Sequence, residues 1–318
     1  MNKNGYVIVR HTFSDSIGKL IKDRGYCCCC IYKKQDSFFM RSLRRVFQKV
    51  RLLPQSIWYG KKVLDYNGKI IIFESLCTAD YVKWLRKKKP DADIVFWYWN
   101  YAQNTINPNA IDDRLCQKWS FSRLDAKKYG MRFNPLPYFT EIEAPLKTRE
   151  YDIVFVGKDK GRLSALLDLK TQFNSMGLTT KFIITPTHSY NKNPEYSKPI
   201  SYMESVAVSA QGRAVLDYIE VTDSGQSLRV IEALFLQEKI ITNSELVVDY
   251  DFYCPENIFV LGKDDMARLP EFLATPYKEI DREIIMRYDF DSVIERFFSE
   301  EKTVFDDMLN DYNQAEAK

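Results

Sequence analysis

Residues 224–234 are SGQSLRVIEAL and residues 239–243 are KIITN, and these two stretches decide the fold of the second half of the chain. They predict a turn of small residues, a short helix and then a buried strand. A helix N-terminus carries unpaired backbone N–H groups and a partial positive charge, so it favours a diphosphate. Glu232 lies about one and a half turns further along, within reach of the ribose of the same nucleotide. The segment therefore predicts a nucleotide site.

Strands and helices alternate on either side of this segment. In the first half the pattern predicts strands at 6–9, 26–32, 69–73 and 94–97, with helices at 14–24 and 79–89. In the second half it predicts strands at 151–156, 181–185, 214–219, 239–243 and 258–261, a helix at 163–176 and a helical end at 281–298. Such alternation is typical of parallel, doubly wound sheets. Residues 133–145 lose this periodicity and predict a linker.

The composition excludes several classes of protein. The chain has 318 residues, which suits two domains of roughly 150 residues. No apolar run approaches the roughly 20 residues of a membrane span, and no signal peptide is visible, so a cytoplasmic protein is expected. The four consecutive cysteines 27–30 alternate between the two faces of a strand and cannot converge on one metal. They predict a buried strand of reduced thiols.

A basic loop accompanies the nucleotide segment in the same half of the chain. Residues 157–162 are GKDKGR and follow the first strand of that half. Ligands of open α/β sheets bind beyond the carboxyl ends of the strands, which is where this loop is expected. Its glycines allow close approach of the backbone, and its cations can neutralise phosphate. The predicted donor-binding residues are Gly157, Lys158, Lys160, Arg162, Gln226, Ser227, Leu228, Arg229 and Glu232.

Several segments resemble the GT-B glycosyltransferases, and most closely the bacterial lipopolysaccharide-core and capsule transferases. Residues 225–234 with the strand at 239–243 resemble the donor-site segment, and residues 155–158 resemble the strand and loop that open the C-terminal domain. Residues 288–293 resemble the late helix that crosses back to the first domain. The resemblance implies two Rossmann-like α/β domains facing across a cleft. It places an acceptor domain at 1–145, a nucleotide-sugar donor domain at 146–285, and a returning helix with an acidic tail at 286–318.

The resemblance is incomplete at one position. Many retaining members carry two glutamates separated by seven residues, of which the second binds ribose. Glu232 matches the second, whereas Ser224 stands eight residues before it, with Glu220 and Asp223 nearby. The ribose role therefore carries over to Glu232, and the choice between retention and inversion stays open.

The acceptor side depends on polar residues at the ends of first-half strands. An inverting transferase needs a general base there, and the candidates are His11, Asp15 and Glu74. Asp15 has an alternative place in the first turn of a helix, where a carboxylate is favourable. Trp99 and Asn100 are the candidate acceptor-binding residues, with core packing as the alternative for the tryptophan. The Asp-x-Asp triplets at 91–93 and 249–251 are expected to be solvated acidic turns, and no essential metal is predicted.

The segment 33–62 carries nine basic residues and one acidic residue. Part of it has helical spacing, so it can pack on a core or lie on an anionic membrane surface through Phe39, Arg41, Arg44, Arg45 and Lys49. A membrane contact would place the protein at the inner face of the membrane. No nucleic-acid recognition module is visible, and the net charge of the whole chain is only +3.

These features together predict a metal-independent glycosyltransferase without a cofactor. It would transfer a sugar from a nucleotide-diphosphate donor to a glycan or lipid-linked glycan acceptor, such as lipopolysaccharide or capsule. Two alternatives use the same double-Rossmann frame, since a fold does not determine chemistry. One is a non-catalytic nucleotide- or sugar-binding protein, and the other is a sugar-nucleotide epimerase.

Overall fold

The computed structural model of the protein describes residues 5–33, 42, 46, 55–143, 146–188, 190–220 and 226–315. It divides into two compact units, one made of Met1–Asn134 with Leu309–Lys318 and the other of Pro135–Met308. The chain passes from the first unit to the second between Asn134 and Pro135 and returns between Met308 and Leu309. The five residues predicted to contact a membrane, at positions 39, 41, 44, 45 and 49, lie outside the described residues, and so do Ser224 and Gly225.

The first unit contains one six-stranded parallel sheet. Its strands are β1 (Tyr6–Arg10), β2 (Cys27–Cys30), β3 (Lys69–Phe73), β4 (Ile94–Tyr98), β5 (Gln117–Ser120) and β6 (Arg132–Phe133). They lie in the order β2-β1-β3-β4-β5-β6. The connecting helices are α1 (Ser16–Asp23), α2 (Ala79–Lys88) and α3 (Arg123–Tyr129).

The centre of this sheet is buried on both faces, as continuous apolar strands of a parallel sheet require. All five residues of β4 are buried, and so are the last four of β3. The cysteine run forms β2 at the edge of the sheet with all four thiols free, as predicted. The prediction that this strand is buried is wrong, because only Cys29 is buried and Cys30 is exposed at the sheet edge.

The second unit repeats the plan with five parallel strands. They are β7 (Tyr151–Lys158), β8 (Thr180–Thr185), β9 (Gly212–Asp217), β10 (Lys239–Thr242) and β11 (Ile258–Val260). Their order is β11-β10-β9-β7-β8. The helices are α4 (Leu163–Ser175), α5 (Tyr202–Ser209), α6 (Leu228–Leu236), α7 (Leu269–Ala274), α8 (Arg282–Met286) and α9 (Phe290–Arg296), followed by α10 (Val304–Ala315). An apolar cluster that includes Phe155, Leu216 and Ile241 lies in its core.

Two C-terminal helices, α9 and α10, are held by different contacts. Tyr138 exchanges backbone hydrogen bonds with Tyr288 and Phe290, and this exchange fixes the start of α9. In the first unit, Tyr312 of α10 lies under the guanidinium group of Arg123, 5.5 Å from the ring centre. Among the described residues, none of the helices combines the length and the apolar character that crossing a membrane demands.

Candidate nucleotide site

The nucleotide segment lies where the strand order of the second sheet reverses. β7 and β9 are neighbours although β8 follows β7 in the chain, so the connections leave in opposite directions at their carboxyl ends. Such a switch point is the usual ligand position of an open α/β sheet. The loop 157–162 follows β7, and α6 follows β9 after the segment 218–227. The two predicted donor-binding segments therefore meet at one edge of one sheet.

A buried carboxylate fixes the N-terminus of α6. Asp217, the last residue of β9, is fully buried and accepts hydrogen bonds from Ser227 Oγ and Arg229 Nη1, both at 2.6 Å. Ser227 is the N-cap of α6 and accepts a bond from the Arg229 amide at 3.2 Å. The preceding amides of the first turn have no acceptor within the helix, and the dipole adds positive potential there. This end of α6 can therefore bind an anion.

Arg229 joins α6 to β7 as well as to β9. Its Nη2 donates to the carbonyl oxygen of Val156 at 2.8 Å, and its guanidinium lies over the ring of Phe155. Gly157 makes this arrangement possible, because a Cβ at that position would lie 3.0 Å from Arg229 Nη2. Arg229 was predicted to bind diphosphate, and the structure gives it a second task, which is to hold three elements of the site together.

Arg162 also connects separate segments of the site. Its guanidinium donates to the carbonyl oxygens of Lys158 (2.9 Å), Asp159 (3.1 Å) and Tyr218, so it ties the loop 157–162 to the end of β9. Burial lowers the pKa of Arg162, and the nearby Arg229 guanidinium lowers it further. Two guanidinium groups close together leave this part of the site attractive to an anion.

The two lysines of the loop point their charges outward. Lys158 is exposed and forms no ion pair with any described residue, whereas Lys160 is 46% exposed and pairs with Glu220 at 3.1 Å. Lys160 and Gly161 both have positive φ, at 49° and 85°, which turns the loop sharply before α4 begins. Lys158 is therefore the most available cation of this loop for a phosphate.

Glu232 lies on α6, and its carboxylate interacts with the Tyr202 hydroxyl and with the Arg229 guanidinium. Its Oε1 is buried, and no described residue forms a hydrogen bond with it. Burial raises the pKa of Glu232, while Tyr202 and Arg229 act in the opposite direction. Gln226 is 2% exposed, and its two side-chain polar atoms are likewise unpartnered among the described residues. Buried polar atoms without partners are uncommon in proteins, and a ligand with hydrogen-bonding groups would satisfy those of Gln226.

The three base candidates of the first unit differ in how fully their side chains are engaged. Asp15 is the N-cap of α1 and accepts a hydrogen bond from the Gly18 amide at 2.6 Å. It also forms a bidentate ion pair with Arg10. His11 makes no side-chain hydrogen bond with a described residue, and its Nδ1 is buried. Burial lowers the pKa of His11, Arg10 adds to this effect, and Asp15 opposes it.

Glu74 joins the two candidate acceptor residues into one cluster. It is 1% exposed and accepts hydrogen bonds from the Trp99 amide at 2.9 Å and from Asn100 Nδ2 at 2.5 Å. Burial raises the pKa of Glu74. The Trp99 ring is half-buried and packs on Phe73 and Trp97, so much of its area belongs to the aromatic core. Glu74 thus holds the turn after β4.

The sequence did not predict the contacts of two aspartates in the second unit. Asp217 was placed inside a strand predicted to extend to 219, and no sequence pattern pairs it with residues ten and twelve positions later. Asp251 was expected in a solvated acidic turn, but it accepts bonds at 2.6 Å from Arg287 and the Tyr288 hydroxyl. That expectation is wrong for Asp251, because the arginine draws its side chain inward. The described residues contain no group of three or more His, Cys, Asp and Glu side chains able to hold a metal.

Several solved structures are similar to this chain at low sequence identity. A sucrose-phosphate synthase from Thermosynechococcus elongatus superposes with a TM-score of 0.57 and 9% identity, over 92% of this chain and 97% of that one. The fold is similar to that of this synthase. A glycosyltransferase from Rickettsia africae ESF-5 gives a TM-score of 0.47 at 8% identity, over 97% and 99% of the two chains. The catalytic domain of starch synthase IV from Arabidopsis thaliana, bound to ADP and acarbose, gives 0.46 at 8%, over 96% and 99%.

No protein-family model and no curated protein matches the sequence. The sequence predicted two Rossmann-like α/β domains with parallel sheets. The two parallel sheets and the similarity to the fold of the sucrose-phosphate synthase confirm this fold class.

Proposed function

We propose that the protein is a glycosyltransferase that uses a nucleotide-diphosphate sugar. The observation that carries this proposal is the end of α6, where Asp217 fixes both the N-cap Ser227 and Arg229 at 2.6 Å. A preorganised set of amides and cations at that end stabilises the negative charge that develops on a leaving diphosphate. Lys158 and Lys160 add charge from the loop, and Glu232 binds the ribose. This stabilisation acts without an essential metal or a cofactor.

On the acceptor side we propose His11 as the general base. Its imidazole has no hydrogen-bond partner among the described residues, whereas the Asp15 and Glu74 carboxylates are engaged by several donors. The lowered pKa keeps the imidazole neutral near pH 7, which is the form that accepts a proton from a hydroxyl. Trp99 and Asn100 line the acceptor path in this proposal.

The acceptor we propose is a surface glycan of the lipopolysaccharide or capsule kind, in lipid-linked form. The basic segment 33–62 supports this choice, because its net charge of +8 is complementary to an anionic membrane surface. The protein would then work in the cytoplasm, at the inner face of the membrane. Co-sedimentation with vesicles tests the contact: binding to anionic but not to neutral vesicles is expected, and R44E/R45E should reduce it. Equal binding to both vesicles would contradict it.

The donor site is tested by nucleotide binding and by turnover. Calorimetry with a panel of nucleoside diphosphates should show binding, and Lys158→Ala should weaken it by about ten- to a hundredfold, since a hydrogen bond to a charged group contributes about 1.5–3 kcal/mol. Lys263→Ala is the matched control, because this exposed lysine of the same unit lies after β11. Equal affinity in both variants would contradict the donor site.

Turnover of a nucleotide-sugar panel separates the chemical alternatives. Hydrolysis or transfer of one donor, lost in Glu232→Gln, is the expected result. Tight binding without hydrolysis or transfer would instead indicate a binding protein, and interconversion of free nucleotide sugars would indicate an epimerase.

A further inference from the structure

A short loop of the first unit carries His11, and one ion pair closes this loop. The loop 11–15 runs from the end of β1 to the N-cap of α1. Arg10, the last residue of β1, donates from Nη1 and Nη2 to the two carboxylate oxygens of Asp15, both at 3.1 Å. Asp15 in turn accepts a hydrogen bond from the Gly18 amide at 2.6 Å. The guanidinium group therefore joins the two ends of the loop directly.

Two aromatic rings hold this guanidinium group in place. It lies over the ring of Phe13, 5.7 Å from the ring centre, and over the ring of Phe73, at 5.4 Å. The register of the sheet explains the second contact. Val9 of β1 pairs with Ile72 of β3, and the next residues along the two strands are Arg10 and Phe73. The planar group is thus engaged at its edge by a carboxylate and on its face by rings, which fixes its orientation.

Contacts inside the loop constrain its backbone further. The hydroxyl groups of Thr12 and Ser14 form a hydrogen bond at 2.8 Å, and the Ser14 amide donates to Thr12 Oγ1 at 3.2 Å. Phe13 is buried, and Gly18 of α1 packs so closely on its backbone that no Cβ would fit. His11 Nδ1 is buried and has no hydrogen-bond partner among the described residues. The loop thus holds in place an imidazole with an uncommitted ring nitrogen.

The charges that act on this imidazole form a pair of opposite sign. Burial lowers the pKa of His11, the Arg10 charge lowers it further, and Asp15 raises it. Removing either member of the pair therefore leaves the charge of the other uncompensated. Three further titratable side chains lie near the loop, namely Lys22 of α1, Glu74 after β3 and Cys30 of β2. The opposite signs within the pair allow an effect of charge to be separated from a loss of structure.

We propose that Arg10 is a positioning residue for the general base: through its pair with Asp15 it holds the loop of His11 in one geometry and keeps the imidazole in its neutral, proton-accepting form. This proposal rests on the function proposed above, with His11 as the base, and it assigns Asp15 to closure of the loop. The planar fork of an arginine meets both oxygens of a carboxylate, whereas a lysine ammonium is a point charge. A base that is misplaced loses rate even when its own chemistry is unchanged.

Profiles of kcat/KM against pH, measured on the full-length protein, test the two members of the pair with opposite signs. Arg10→Gln removes the charge that lowers the pKa, so the midpoint of the acid limb should rise by about 0.5 in pH. Asp15→Asn removes the opposing charge, so the midpoint should fall by about the same amount, while asparagine still caps α1. Arg114→Gln breaks an exposed ion pair with Asp112 in the same unit, and this matched control should leave the midpoint unchanged.

Arg10→Lys separates the charge from the closure of the loop. It keeps the positive charge, so the midpoint should stay near the wild-type value, but it lacks the fork, so kcat should fall about tenfold or more. This variant and Asp15→Asn keep the test decisive if Arg10→Gln does not fold. Midpoints that stay fixed or move in the same direction, while His11→Gln still removes the acid limb, would overturn the proposal. An acid limb that survives in His11→Gln would instead show that the base itself is assigned wrongly.

Discussion

At the scale of single residues, Asp217 and Arg229 form an ion pair that joins β9 to α6 in the second unit. Asp217 is fully buried, and the Arg229 side chain is 18% exposed, so their ion pair lies largely out of water. Removing one partner of such a pair leaves a charge that the interior does not solvate. The pair therefore links the stability of the unit to the geometry of its nucleotide site.

Asp217→Asn should destabilise the protein by about 3 kcal/mol, since it leaves the Arg229 charge unpaired. The measurement is chemical unfolding followed by a probe in the second unit. The double variant D217N/R229M should recover part of the loss, because it removes the unpaired charge as well. A single variant as stable as the wild type would mean that Arg229 has found another partner.

His11 gives a prediction about pH. Burial and the Arg10 charge lower the pKa of His11 below its usual value of 6.5, and Asp15 opposes them. The imidazole is therefore neutral at pH 7 and gains a proton only when the pH falls below that lowered pKa. If it is the base, kcat/KM falls on the acid side with a midpoint below 6.5. His11→Gln should lower kcat/KM by about 10²-fold and remove that limb. An acid limb that persists in the variant would assign it to another group.

At the scale of elements, strands were easier to predict than the contacts at their ends. β3 was predicted with its observed bounds. Its three consecutive isoleucines form the continuous apolar run that is typical of a parallel strand buried on both faces. β5 was missed because its residues 117–120 are mostly polar, yet Lys118 is buried and donates to the carbonyl oxygens of Pro108 and Ile111. The position of the nucleotide segment was predictable from a short local pattern. The hydrogen bonds of Asp217 were not predictable, since they depend on how α6 packs against the end of β9.

The N-cap of α6 offers an element-scale prediction with an internal control. Ser227→Ala and Ser122→Ala each remove a helix N-cap, at α6 and at α3 respectively, and each should cost about 1 kcal/mol of stability. Only Ser227→Ala should also weaken binding of a nucleoside diphosphate, because Ser227 Oγ joins Asp217 to the anion-binding end. Unfolding and calorimetry on both variants check this. Equal loss of binding in both would show a general effect of stability.

At the scale of the whole molecule, the chain builds two separate sheets, each with its own buried core. The residues proposed to bind the nucleotide all belong to the second unit, Pro135–Met308. A ligand stabilises what it binds by mass action, by about 2.7 kcal/mol at one hundred times its dissociation constant. The nucleotide therefore acts first on one unit of the two.

Hydrogen exchange of the full-length protein should show this asymmetry. With saturating nucleoside diphosphate, the amides of β7, β9 and α6 should exchange roughly 100-fold more slowly, which is the factor equivalent to about 2.7 kcal/mol. Amides of β3 and β4 in the first unit should change much less. Glu232→Gln should reduce the protection in the second unit and leave the first unit as it was. Equal protection of both sheets would show that nucleotide binding stabilises the two units as one cooperative body, and protection confined to the first would place the nucleotide there.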